Sequence, residues 1–201
     1  MKIFLLVNLV FKNPFIYAGF SGIIPGSGTY ILNEKEIAKI FFFSESIFLF
    51  SYFISNRTIE NTISSYKSFA KIYAYANPYI KDEDYWINVE NFYSYDDYIE
   101  YLRRKARAIY PDDKNLQNEY VEKHKLEYKW SWESRDRWIK FMNLRERERK
   151  IEQIKNLVFL GIVINHFASF LQTYFMAQSK IKETKFGIKF EREKIFLEYK
   201  F

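Results

Sequence analysis

The chain contains no cysteine. A disulfide framework and thiolate chemistry are therefore excluded, and the redox compartment stays open. Histidine is nearly as scarce: His124 and His166 stand 42 residues apart with no shared motif. Zinc and iron sites gather several ligands at short spacings, so no metal site is expected. No Gly-Lys-Ser/Thr phosphate loop, Gly-x-Ser-x-Gly elbow or His-Glu-x-x-His helix is present, and Gly26-Ser27-Gly28 is too short for a dinucleotide fingerprint. Asp96/Asp97 and Asp112/Asp113 are read as helix-start carboxylates. No nucleophile is paired with a base, so neither catalytic residues nor a cofactor are expected.

The third scarcity is local. Asn156 to Ser179 is twenty-four residues long without Asp, Glu, Lys or Arg, and it follows the basic run Arg145, Arg147, Arg149, Lys150, Lys155. About 20 largely apolar residues cross a hydrocarbon core, and basic residues at the mouth of such a segment suit the membrane–water boundary. A mean hydropathy of −0.33 is too polar for a bundle lying wholly in lipid. The apolar residues are instead concentrated in Ile3 to Leu32, Ile40 to Ile54 and Leu157 to Ala177.

Aromatic residues are plentiful, at 21% with 17 tyrosines, which suits surfaces half apolar and half wet. The net charge of +6 invites a nucleic-acid reading, but residues 56–155 hold 20 basic and 18 acidic side chains, interleaved. The excess sits mainly in the tail from Lys180 and at Lys2 and Lys12, beside apolar segments, where lipid headgroups are the expected partner. Nucleic acid is not.

Four regions follow. Residues 1–56 form an N-terminal membrane region. Within it Met1 to Phe11 has the start of a signal peptide but no small-residue cleavage site, and reads as an uncleaved leading segment. Asn13 to Asn33 carries Pro14, Pro25, Gly19, Gly22, Gly26 and Gly28, a density of breakers that fits a broken or re-entrant segment, a close-packed hairpin or a membrane-surface loop. Ile40 to Ser55 is a second apolar helix, short for a span and interrupted by Glu45. Residues 57–150 read as a helical extramembrane domain. Its helices are predicted over 58–76, from the Ser94-Tyr95-Asp96-Asp97 cap to Pro111, over 114–128, and from Ser131 or Ser134 onward. Residues 151–180 form a membrane helix. In the tail, 181–201, apolar residues alternate on both sides of Glu191-Arg192-Glu193-Lys194, which predicts a β-hairpin. The expected class is mostly α: multi-pass membrane helices, a helical extramembrane domain and a C-terminal β-hairpin.

An ionisable residue inside a span is costly and is a functional candidate by default, which singles out Glu45. Asn165, Ser169 and Gln172 form one polar stripe on the last span, and Ser44, Ser51 and Ser55 a comparable stripe on the second segment. Facing each other, with Glu45 near Asn165 or His166, they would act as interhelical glue. Trp130, Trp132 and Trp138 with Arg137 and Arg145 suit a membrane interface, a stacked cation–π cluster, a protein-binding hot spot or a core corner.

In order along the chain, Asn13-Pro14, the turn Ile24-Pro25-Gly26-Ser27-Gly28-Thr29-Tyr30, the tyrosine-rich helical region, Trp130-Ser131-Trp132 with Arg137 and Arg145, and Asn165-x-x-x-Ser169 resemble a family of bacterial membrane proteins known as a domain of unknown function. The resemblance runs from about residue 12 to 180. Thr29 stands where that family has Gln, and Gln172 where it often has Asp, so no ionic role carries over to position 172. The resemblance implies a helical membrane protein and no known reaction. The expectation is a non-catalytic scaffold or assembly subunit of a bacterial membrane, the inner membrane favoured, contacting lipid and protein partners or further copies of itself. Tyr199 and the terminal Phe201 resemble an outer-membrane assembly signal, which leaves an outer-membrane component as the alternative. An enzyme acting on lipid or envelope precursors is a further one.

Overall fold

The computed structural model describes residues 12–191 and 194–199, with side chains through residue 182. The leading segment 1–11 and the terminal Phe201 lie outside the described residues, and of Tyr199 only the backbone is described. Seven helices occur among the described residues: α1 (Pro14–Ile23), α2 (Ser27–Ile31), α3 (Lys35–Ala74), α4 (Glu83–Asn91), α5 (Tyr95–Ile109), α6 (Lys114–His124) and α7 (Arg135–Lys185). The chain divides into two compact units, one built from 1–54 and 155–201, the other from 55–154.

In the first unit the breakers determine the path. Asn13 caps α1 by accepting from the Phe15 N–H at 2.9 Å, with Pro14 at the first helical position. The helix stops at Ile24 because the residue before proline is pushed out of the α region. Gly26 then takes a left-handed φ of 88°, and α2 begins. Against α7, Phe15 meets Tyr174 and Gly22 meets Phe170, while on the way back Gly28 lies against Thr173 and Leu32 against Lys180. The α1–α2 pair thus runs along α7 to the level of residues 166–170 and returns. The first part of α3 packs on the same helix, with Phe48 against Gly161 and Tyr52 against Phe159.

The expected class needs correction here. Among the described residues only α3 and α7 are long and apolar enough to cross a membrane, because α1 and α2 are 10 and 5 residues long and Pro25 and Gly26 stop them joining. The chain is therefore not a multi-pass bundle of three apolar segments. Nor does a hairpin define the fold. Residues Phe186–Glu191 and Lys194–Tyr199 pair antiparallel only with each other, and every element from Pro14 to Lys185 is a helix.

The second unit has a single aromatic core. Tyr66, Trp86 and Phe141 meet edge-to-face around Tyr66, at ring-centroid distances of 5.5 and 5.8 Å, and Trp130 stands between Tyr85, Tyr95 and Tyr98. Its helices start where the sequence carries caps: Asp82, the Ser94–Asp97 capping box and Asp113. Three boundaries differ from expectation. Nothing in 35–74 breaks a helix, so α3 is one continuous 40-residue helix in place of two segments. The third predicted helix ends at His124. Finally, α4 has no counterpart among the predicted helices, since its apolar positions Tyr85, Trp86 and Val89 span little more than one turn.

Candidate functional site

The polar residues of the first unit converge on one face of α7, and most of them answer a backbone group at the α1–α2 turn. The Gly26 N–H donates to Ser169 Oγ at 2.7 Å, and the Gly28 N–H to Ser21 Oγ at 2.9 Å. Gly26 O accepts from Thr29 Oγ1 at 2.7 Å, and Gly22 O lies 2.8 Å from His166 Nδ1. Thr173 Oγ1 is 2.7 Å from both Ser21 Oγ and Ser169 O. Having one proton, it donates to one of them and, where the carbonyl takes it, accepts from the Ser21 hydroxyl. Irregular backbone needs such partners wherever water cannot supply them.

Beside this cluster lies Glu45 of α3. Its Oε2 accepts from Asn165 Nδ2 at 2.9 Å, and its Oε1 is 3.2 Å from His166 Nε2. Asn165 Nδ2 also donates to Phe41 O at 3.2 Å. Asn165, Ser169 and Thr173 are buried. Glu45, Asn165 and Ser169 are therefore brought into one network, whereas Gln172 is exposed. The stripe is continued by Thr173, at strict four-residue spacing, a position that the spacing of Asn165 and Ser169 already points to. Ser21 carries no comparable signal. Pro25, Gly26 and Gly28 are buried at the turn.

Between its charged ends the first unit is apolar toward its surroundings. Ile23 is 75% exposed, Phe43 and Phe53 69% each, and Leu157 67%. Only 6% of the most apolar window of α3 and 11% of that of α7 is buried within the protein. A soluble core helix buries this surface, worth about 1.5–3 kcal/mol for each large side chain.

In the second unit the tryptophan–arginine residues divide by role. All four tryptophan indoles donate to backbone carbonyls: Trp86 to Ile80 O, Trp130 to Phe92 O, Trp132 to Val89 O and Trp138 to Glu90 O, at 2.8–3.1 Å. The last three close the carbonyl end of α4. Trp130 and Trp132 are buried and Trp138 half-buried, while Arg137 stacks 4.0 Å from the Tyr73 ring.

Arg145 is 1% exposed. It pairs with Glu83 and Glu90, donates to Tyr66 Oη at 3.2 Å and lies 3.6 Å from Glu148, and Arg149 adds a bidentate pair to Glu90. Burial lowers the Arg145 pKa, but the hydrogen bond to Glu83 and the neighbouring charges hold it above its ordinary value. Burial raises Glu148, opposed by Arg145. Glu83 and Glu90 had no sequence signal, because they lie 62 and 55 residues from the arginine they meet.

Among the described residues no group of three or more His, Asp or Glu side chains is placed to hold a metal ion. Neither a protein-family model nor a curated protein nor a solved structure matches the chain.

Proposed function

We propose that the chain is a two-span membrane protein of a bacterial membrane, acting as a non-catalytic scaffold or assembly subunit. The observation that carries this reading is the inverted pattern of the first unit. Its large apolar side chains point outward along α3 and α7, while Glu45, Asn165, Ser169 and Thr173 point inward and bond to one another or to backbone. In water that arrangement leaves a large apolar surface uncovered; in lipid that surface is solvated, and Glu45, Asn165, Ser169 and Thr173 keep their bonding partners. The α1–α2 pair is then a re-entrant hairpin, and the polar face of α7 caps its turn.

The same observation favours a structural role over chemistry. Ser21, Ser169 and Thr173 are engaged with backbone amides, carbonyls or each other, and Glu45 with Asn165 and His166. The second unit is compact, with an aromatic core and a buried, fully paired arginine, which supports a role in presenting a surface to partners. Membrane fractionation on a density gradient after a carbonate wash tests the reading. Retention in the washed inner membrane is expected, in an assembly heavier than one chain after mild detergent extraction. Release by the wash overturns the membrane assignment, and a strictly monomeric, partner-free particle overturns the scaffold.

A further inference from the structure

The contact between Glu45 and His166 has a proton requirement that neither residue has alone. His166 Nδ1 lies 2.8 Å from Gly22 O, and a carbonyl only accepts, so Nδ1 carries a proton. In the neutral ring Nε2 is then an acceptor, and it faces Glu45 Oε1 at 3.2 Å. An ionised carboxylate only accepts as well. Two lone pairs do not make this contact, so one proton lies between them, either on Glu45 beside a neutral imidazole or on Nε2 of an imidazolium beside a carboxylate.

Asn165 fixes which oxygen is involved. Its Nδ2 has Phe41 O at 3.2 Å and Glu45 Oε2 at 2.9 Å, and the carbonyl obliges the amide to present its N–H groups on this side. Oε2 is thus held as an acceptor, and Oε1 is left for the proton. Among the described residues no other charged side chain of the packed elements bonds to Glu45 or His166. In α1 and α2 the titratable residues are Tyr17 and Tyr30. On α3, Lys39 pairs with Glu36 at 2.7 Å and Lys35 and Tyr52 lie further off; on α7, Lys180 pairs with Glu34 at 2.6 Å, with Tyr174 and Lys182 toward that end and Lys155 at the other end of the apolar stretch.

We infer that Glu45 and His166 form a binding site for a single proton, which fastens α3 to α7 and, through Gly22, to α1. Removing the proton sets a carboxylate against an imidazole lone pair and loosens α3 from α7. This goes beyond a scaffold role and rests on side-chain geometry within the first unit. A carbonate wash that releases the protein therefore leaves it standing.

The test is nitrogen NMR of the full chain in detergent micelles, with labelled histidine, from about pH 5 to about pH 10. His124→Gln identifies the His166 signals. The expected result is that Nδ1 remains protonated throughout, while Nε2 and Glu45 share one proton that is lost in a single coupled step. In Glu45→Gln the amide donates to Nε2 without titrating. The ring should then no longer share a proton with residue 45, and the Nε2 signal should differ from that of the unaltered chain. An unchanged His166 titration in Glu45→Gln overturns the inference. So does an unprotonated Nδ1 in the unaltered chain, a reading that needs no variant to fold.

Discussion

Tyr66 shows how one side chain ties the second unit to pH. Its ring is 2% exposed between Trp86 and Phe141, and its hydroxyl accepts from Arg145. Burial pushes its pKa up to about 12, against the opposing pull of Arg145. An unfolded tyrosine titrates near 10, so the folded state keeps a proton that the unfolded state has lost. The associated stability is fully present below about pH 10 and disappears as pH rises toward 12, a loss of about 2–3 kcal/mol. Denaturant unfolding followed by tryptophan fluorescence across that window should show the decline, and Tyr66→Phe should remove most of it. An equally steep decline in Tyr66→Phe would assign the effect elsewhere, first to Tyr85 and Tyr98, whose values burial also raises. At this scale the sequence offered half of one contact and most of the other. Arg145 stood out on a helical face with Trp138 and Phe141, and Glu45 as a charge among phenylalanines. For Glu45 the two polar stripes already pointed to Asn165 or His166, and both meet it. Glu83 and Glu90, which meet Arg145, lie 62 and 55 residues away, and pattern within one helix holds no information about them.

Among the elements, the α1–turn–α2 hairpin is defined by how closely its backbones approach. A Cβ added at Gly28 would come within 2.0 Å of Tyr17 O and 2.8 Å of Thr173 Cγ2. The first of these contacts is with backbone and cannot be relieved by a rotamer change. Gly19, on the same hairpin, has nothing within 4 Å of the corresponding point. Gly28→Ala is therefore expected to destabilise the first unit by about 1–3 kcal/mol or more through overpacking. Gly19→Ala should leave stability unchanged or raise it slightly, since alanine favours the helix. Thermal unfolding of both variants in micelles, followed by circular dichroism, separates the two. Equal midpoints would mean that the hairpin is not packed as described. The breakers were legible here as a group, because proline and glycine act through local φ and ψ. What was not legible was where the hairpin lies, which depends on Ser169 and His166 reaching Gly26 and Gly22 from about 144 residues away. The reverse holds for α4, whose place is plain in the structure but whose three buried positions are too few to show a helical period.

For the whole molecule, the proposed two-span reading predicts which segments share a side of the membrane. A re-entrant α1–α2 pair returns the chain to the side it came from, so Lys12 and Glu36 lie together. The apolar part of α3 then separates both from Asp112. A third crossing by residues 13–33 would instead place Lys12 with Asp112, opposite Glu36. The absence of cysteine makes the distinction direct, because each single substitution supplies the only thiol in the chain. Lys12, Glu36 and Asp112 are all exposed, so none of the thiols is buried in the protein. Lys12→Cys, Glu36→Cys and Asp112→Cys, labelled in sealed vesicles with a membrane-impermeant maleimide, should divide with the first two on one side and the third on the other. Lys12→Cys labelling together with Asp112→Cys would turn the hairpin into a span. It would also leave the backbone-capping role of Ser169 and His166 without the broken helix that calls for it.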